Sequence, residues 1–213
     1  MIKLKGGVSP GCGGLRQEYL SIQGLNLDDA GMARTLTVQC VPLFKTGAQD
    51  TVRPLGLRNP LLKAFHREVS QSNKEVVKSF VEPQQLVLSQ GGGSILVFSV
   101  RGVVEKIVQG SEYEDWVAYK IDMKNAYNEM CRAETVKVVQ EQPTLQHLET
   151  YMAVTLSPYS GLECGGRLWG RTGEGGTQGD PKTGDDFAVT LQPSLLLLDA
   201  ACSEGGGLAR AGH

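Results

Sequence analysis

The amino-acid sequence predicts an α+β fold in which helices pack on an antiparallel sheet. Strand-like and helix-like stretches both occur along its 213 residues, and 40% of these residues are hydrophobic, enough to bury a core. Turn-forming residues separate the stretches, since the chain holds 27 glycines and 9 prolines. Charged residues make up 21%, which excludes wholesale disorder and a fibrous protein.

The first third of the chain predicts a β-hairpin. Residues 1–14 are rich in glycine and predict a loop, and residues 15–22 predict a short helix. Leu36–Lys45 is rich in strand-forming residues, and Thr51–Leu57 returns after a turn. Pro54 lacks a backbone N–H, so we expect the second strand at the edge of the sheet.

Two helices are predicted next. Asn59 can cap the first and Pro60 suits its first turn. An apolar stretch from Ser94 to Val108 predicts a buried helix, which Ser94 caps and which ends near Gly110. The apolar face of the first helix is expected to contain Leu61, Leu62, Phe65, Val69 and Val76.

The second half of the chain alternates between both types of element. Trp116–Met123 predicts a buried strand that ends near Asp122. The elements predicted after it are a helix over 125–140, a short helix over 144–154, a strand or hairpin over 162–169, a loop over 173–184 and a helix over 190–201.

Charge and cysteine usage limit the class of protein. The net charge of −2 gives no global attraction to nucleic acid, but seven basic and only three acidic residues fall between Lys45 and Lys78. An ordinary solvated helix face would explain that bias equally well. The five cysteines are scattered, which argues against a disulfide framework or a zinc site and predicts a reducing compartment. No stretch is apolar enough for a membrane span or a secretory leader, so we expect an intracellular protein, nuclear or cytoplasmic.

Five short motifs follow one another along the chain. They are Ser9-Pro10-Gly11, Lys45 with Thr51-Val52-Arg53, Pro83-Gln84-Gln85 with Gly91-Gly92-Gly93, Asp122-Met123 with Asn125-Ala126-Tyr127, and Gln178-Gly179-Asp180-Pro181. In this order they resemble the reverse transcriptase domain of non-LTR retrotransposons, over nearly the whole chain. The resemblance implies a right-hand polymerase without a thumb. Residues 1–110 would be a fingers-like region with the first palm elements, and residues 111–213 a partial palm.

The resemblance assigns a metal-binding role to Asp122. Nucleotidyl transfer uses two divalent metal ions, about 4 Å apart, that stabilise the attacking and leaving oxygens. Asp122 would be the catalytic carboxylate and first ligand of Mg²⁺ (or Mn²⁺), assisted by the carbonyl of Met123. Without the resemblance, the alternative for Asp122 is an N-cap of the following helix.

The resemblance also implies residues that bind nucleotide. Lys45 and Arg53 would hold the triphosphate, because their cationic donors match phosphate oxygens. Tyr127 would pack under the sugar and reject a 2′-hydroxyl. Gln178 and Gly179 would lie beside the incoming nucleotide and the template base. Each has a structural alternative: an edge-strand charge for Arg53, a core aromatic for Tyr127, and a simple turn for the glycine-containing loop.

Contacts with nucleic acid are expected on two further segments. Lys63 and Arg67 would touch template phosphates, which give affinity without sequence preference. Gly91 and Gly92 would let the backbone pass close to the template.

The aromatic-x-Asp-Asp motif that the resemblance calls for after this loop is absent from residues 1–213. Asp185 and Asp186 do not replace it, because they fall at the start of the last predicted helix, where acidic residues favour the helix dipole. We therefore expect a fragment of an RNA-directed DNA polymerase, with RNA template, DNA primer and deoxynucleoside triphosphates as partners, that does not polymerise alone. A non-catalytic nucleic-acid-binding remnant and a fragment unable to fold alone are the alternatives.

Overall fold

The computed structural model describes residues 37–44, 52–86, 88–89, 91–110, 121–156 and 160–206. Its contacts divide the chain into two compact units. The described parts of residues 1–73 and 125–187 form the first unit, and those of residues 74–124 and 188–213 form the second. The loop and short helix predicted before residue 23 lie outside the described residues.

The secondary structure confirms the α+β class. The strands are β1 (Val38–Phe44), β2 (Val52–Arg58), β3 (Ser160–Cys164) and β4 (Arg167–Thr172). The helices are α1 (Pro60–Ser72), α2 (Lys74–Val81), α3 (Gly92–Val108), α4 (Arg132–Glu141), α5 (Glu149–Thr155) and α6 (Thr183–Glu204).

The predicted β-hairpin is confirmed. Strands β1 and β2 pair antiparallel, with Val38 opposite Arg58 and Phe44 opposite Val52. The strand order is β2-β1-β3-β4, so Pro54 lies in an edge strand as expected.

The expectation of a wholly antiparallel sheet is wrong. Strands β3 and β4 form an antiparallel hairpin, as the sequence allowed, but β1 pairs with β3 in parallel. Val38 lies opposite Leu162 in that pairing, and the long stretch of chain between them supplies the crossover that parallel strands require.

Helix α1 begins where the sequence predicted. The Asn59 side chain accepts a hydrogen bond from the Leu61 N–H at 2.9 Å, and Pro60 occupies the first turn. The predicted apolar face is only partly correct, because Leu62 is buried while Phe65 is 51% exposed. The buried positions of α1 are Pro60, Leu62, Ala64 and His66.

The core of the first unit brings together α1, α4, α5 and β1. Helices α4 and α5 provide its most deeply buried part, as the short helix predicted near residue 150 suggested. Its apolar members include Val38, Leu62, Ala64, Met130, Val138, Val139, Leu145, Leu148, Met152 and Leu156.

The second unit contains α2, α3 and the part of α6 from Ala188 onward. Val77, Val81 and Val189 are buried in it. The Gln85 side-chain amide donates hydrogen bonds to the Ala188 carbonyl at 2.7 Å and to Gln192 at 2.9 Å. These bonds satisfy part of a buried amide that would otherwise be costly to desolvate.

The expectation that α3 is a buried helix is wrong. Its apolar side chains are exposed, including Val97 at 65% and Phe98 at 69%. Its N-cap is Gly91 in the left-handed region, not Ser94, although it ends at Val108 near the predicted point. The apolar pattern of this stretch does not identify its packing partner, so the sequence could not predict this exposure.

The segment around Asp122 also differs from expectation. No strand covers residues 121–123, while residues 116–120 lie outside the described part of the chain. The next helix starts at Arg132 instead of Asn125, because Asn125 has a positive φ of 53° that interrupts a helix. The last helix, in contrast, starts earlier than predicted, at Thr183.

None of the helices in the described ranges has both the length and the apolar character needed to cross a membrane.

The N-cap of α1 gives a test of this local structure. Asn59→Ala should lower the free energy of unfolding by about 1 kcal/mol, because it leaves an N-terminal N–H of α1 without its acceptor. Asn59→Ser keeps a capping oxygen and serves as the matched control in urea unfolding. Equal losses in the two variants would contradict a capping role.

Candidate functional site

A loop between β4 and α6 is held against the edge strand β2. The Gly56 N–H donates a hydrogen bond to the Gln178 carbonyl at 3.0 Å. Gly179 has a φ of 99°, and a Cβ placed there would lie 3.0 Å from Leu55 Cδ1. Only glycine therefore allows the loop to turn this close to the strand. Close packing of the loop on β2 is therefore enough to explain why position 179 is a glycine.

A buried carboxylate fixes the end of the same loop. Arg58 Nε lies 2.7 Å from Asp180 Oδ2, and the side chains of both residues are 3% exposed. His66 Nδ1 lies 2.7 Å from each Asp180 oxygen, and the Lys182 N–H donates to Oδ1 at 3.0 Å. We call Arg58, His66 and Asp180 the buried triad. It joins the end of β2, the middle of α1 and the loop.

The charge state of Asp180 follows from these contacts. Burial alone would raise its pKa, but the hydrogen bond from His66 and the charges of His66 and Arg58 outweigh it, so that the pKa is lowered. An ionised carboxylate only accepts hydrogen bonds, so Nδ1 of His66 carries the proton. Tyr151 packs edge-on against His66, with ring centroids 5.7 Å apart, and burial raises the pKa of its hydroxyl.

A second group of buried charges lies at the start of α6. Lys182 Nζ donates to Asp186 Oδ1 at 2.9 Å and lies 3.8 Å from Asp185 Oδ2. The Ser70 hydroxyl of α1 donates to Asp185 at 2.5 Å. Burial raises the pKa of Asp186 despite the opposing charge of Lys182, and the nearby Asp180 and Asp185 charges raise it further. These contacts support the expectation that Asp185 and Asp186 belong to the helix start.

Arg132, at the start of α4, holds the other end of the loop. Its guanidinium donates to the Gly175 carbonyl at 2.7 Å, to the Thr172 carbonyl at 2.8 Å and to the Thr172 hydroxyl at 3.1 Å. Burial lowers the pKa of Arg132, and the charge of Arg58 lowers it further. Two arginines therefore lie close together along this loop.

The turn that contains Tyr127 joins the loop as well. The Gly176 N–H donates to the Tyr127 carbonyl at 2.5 Å, and the Gly175 N–H donates to the Met130 carbonyl at 2.8 Å. The Tyr127 ring packs edge-on against Phe187 with centroids 5.4 Å apart. The segments that contain Gly56, Tyr127 and Gln178 thus meet in the first unit.

Two basic residues predicted to contact template lie on α1 in the same unit. Lys63 is half-buried, and burial lowers its pKa while the charge of Asp180 opposes this. Arg67 lies one turn further along and is half-buried as well. Both therefore lie near the buried triad.

The other predicted positions lie in the edge strand, in the second unit or outside the described residues. Lys45 lies outside the described residues, and Arg53 is located in β2 by its backbone, opposite Leu43. Gly91 and Gly92 begin α3 in the second unit. Asp122 and Met123 are exposed in that unit.

The donor set expected for magnesium does not fit a metal centre. No group of three or more His, Cys, Asp or Glu side chains suited to a metal ion occurs within the residues that the structure covers. Asp122 itself is exposed and lies in irregular chain. We therefore derive no catalytic step through a metal ion.

Sequence reasoning missed the buried triad and Arg132. His66 follows Leu62 by four positions, so it shares the buried face of α1, and this spacing was the signal for a buried histidine. Arg58 follows an apolar strand and Asp180 precedes a helix, but neither position alone indicates that the two side chains meet.

No protein-family model and no curated protein matches this sequence. Membership of the reverse transcriptase family thus stays a prediction from the motifs.

Close packing between the loop and β2 can be tested at Gly56. Gly56→Ala should destabilise the protein by about 1–3 kcal/mol, because the new Cβ would overlap the Thr177 side chain and lie 2.9 Å from Val38 Cγ1. Adding Thr177→Ser removes the nearest methyl group and should recover part of the loss in urea unfolding. Thr177→Ser alone is the control, and the absence of any recovery would contradict the contact.

The triad predicts a stability loss in acid. In the folded state the pKa of Asp180 is lowered from 3.8, so the unfolded chain binds a proton more readily than the folded protein does. Between the folded-state pKa and the ordinary value, the free energy of unfolding therefore rises with pH. The contribution is complete above about pH 4 and is lost as the pH falls through the folded-state pKa. Melting temperatures measured from about pH 5 to about pH 2 should fall less steeply in Asp180→Asn than in the wild type. Glu129→Gln, at an exposed carboxyl, is the control; parallel curves for wild type and Asp180→Asn would count against the triad.

Proposed function

We propose that this chain is part of an RNA-directed DNA polymerase and that, alone, it binds template and nucleotide without extending a primer. The observation that carries the proposal is the hydrogen bonding that joins three separated motifs. Gly56 donates to Gln178, and Gly176 donates to the carbonyl of Tyr127. The loop, the edge strand that carries Arg53 and the turn that carries Tyr127 therefore form one assembly.

The assembly has the chemical groups that a nucleotide requires. Arg53 on the hairpin can bind phosphate oxygens, and the ring of Tyr127 can pack on a sugar. The side-chain amide of Gln178 offers both a donor and an acceptor to a base. Lys63 and Arg67 on the adjacent helix add positive charge for template phosphates. An intracellular location, nuclear or cytoplasmic, is part of this proposal.

Catalysis is not assigned to the isolated chain. Transfer of a nucleotide to a primer 3′-hydroxyl needs two metal ions and several carboxylates. The resemblance supplies Asp122 alone for this purpose, and the described residues provide no metal-binding cluster around it. The same observation favours the second candidate, a nucleic-acid-binding remnant that acts without metal.

Binding of nucleic acid is the first test. Arg67→Gln and Lys63→Gln should each weaken binding of an RNA template annealed to a DNA primer, measured by fluorescence anisotropy, and reduce the dependence of log affinity on log salt by about one. Lys137→Gln removes an exposed charge on α4 and is the matched control. Unchanged affinity and salt dependence in both helix α1 variants would contradict a template role for these residues.

Primer extension separates the two candidates. We expect no primer extension with magnesium and deoxynucleotides, while binding of both the template and a deoxynucleotide is retained. Salt-sensitive, metal-independent binding of nucleic acid alone would favour the remnant. Robust extension that Asp122→Ala abolishes would overturn the inactivity of the isolated chain.

A further inference from the structure

Strand β4 is an edge strand with an unusual surface. It lies at the end of the sheet order opposite to β2. Among the described residues, its outer edge pairs with no strand. Gly165 and Gly166 both have positive φ, and they form the two-residue turn that leads into it from β3. Unlike β2, which carries Pro54, this edge has no proline.

A β-bulge sets Trp169 apart from its neighbours. Leu168 pairs with Glu163 and Gly170 pairs with Leu162, so Trp169 is the extra residue. Its indole is 74% exposed, and its Nε1 donates to the Cys164 carbonyl at 3.1 Å. This hydrogen bond holds a large aromatic ring at the surface and reduces the entropy it would lose on binding.

Positive charge flanks this ring. Arg167 and Arg171 lie two residues before and two residues after Trp169, and both are exposed. Strand β4 contains no acidic residue. An exposed aromatic ring between cations is the combination by which proteins bind single-stranded nucleic acid, through base stacking and phosphate contacts.

We propose that β4 binds single-stranded RNA, with one base stacked on Trp169 and the flanking phosphates held by Arg167 and Arg171. The inference rests on the proposed function and deepens it, because it assigns strand β4 as the surface that binds the single-stranded part of the RNA template. Because the bulge adds one residue between them, Arg167, opposite Cys164, and Arg171, opposite Gly161, lie on opposite faces of the sheet, so they would hold phosphates on the two sides of the edge strand. A duplex is a poorer ligand, because its bases already stack on one another.

The stacking contact is tested on the full chain with an unstructured single-stranded RNA oligonucleotide. Trp169→Leu should lower the affinity on the order of tenfold in fluorescence anisotropy, whereas Trp169→Phe keeps a ring and should retain most of it. Leu197→Ala is the control, because Leu197 is also 74% exposed but carries no ring. Arg167→Gln and Arg171→Gln should each reduce the salt dependence by about one.

Fluorescence gives a second readout. The chain has 2 tryptophans, so Trp116→Phe leaves Trp169 as the sole indole, and RNA should quench its emission. An RNA of the same length without bases should bind more weakly and quench less, since it offers phosphates but nothing to stack.

The outcomes separate this inference from the proposed function. If the wild type binds RNA and Trp169→Leu binds equally well, the stacking role is overturned and the proposed function stands. If the wild type binds no nucleic acid, both fail. If the chain self-associates as its concentration rises without RNA, and Trp169→Leu prevents the self-association, the strand is a protein-docking edge and the inference is overturned.

Discussion

The carboxylate of Asp180 is the contact on which the first unit depends most. It accepts hydrogen bonds from His66 in α1 and from the Lys182 N–H just before α6, and it forms an ion pair with Arg58 at the end of β2, so one buried charge links three parts of the unit. Removing one partner of a buried ion pair costs about 3–5 kcal/mol. That is a large fraction of the roughly 5–15 kcal/mol that stabilises a domain, so the loop before α6 keeps its position only while this charge is compensated.

Asp186 is buried like Asp180, but its partners differ and its pKa is shifted in the opposite direction. Both carboxylates are buried, yet the pKa of Asp180 is lowered and that of Asp186 is raised. Asp180 receives an imidazole, a guanidinium and a backbone N–H, whereas Asp186 shares the ammonium group of Lys182 with Asp185. At Asp180 the partners outweigh burial and lower the pKa, whereas at Asp186 burial and the neighbouring carboxylates outweigh Lys182 and raise the pKa.

Local sequence signals predicted the parts of this fold that local interactions determine. The β1–β2 hairpin, the edge position of Pro54 and the cap at Asn59 follow from residue type and short spacing. Two kinds of feature did not follow. The triad joins residues 114 positions apart, and no periodicity encodes that contact. The exposure of helix α3 depends on neighbours that its apolar pattern does not specify. At the candidate site, Tyr127 and Gln178 belong to separate motifs of the sequence, and the hydrogen bonds that join their segments, like the contacts of Arg132 with the loop, were found only in three dimensions.

The parallel pairing of β1 with β3 has a consequence for biosynthesis. Val38 and Leu162 are neighbours in the sheet. During synthesis, the β1–β2 hairpin therefore cannot pair with β3 until more than a hundred further residues have been added. Contacts this distant in sequence close slowly, because the entropy of a long loop must be lost first. Until then the inner edge of β1 is an open template for pairing with another nascent chain, and we expect slow translation or a chaperone that covers this edge to raise the yield of folded protein.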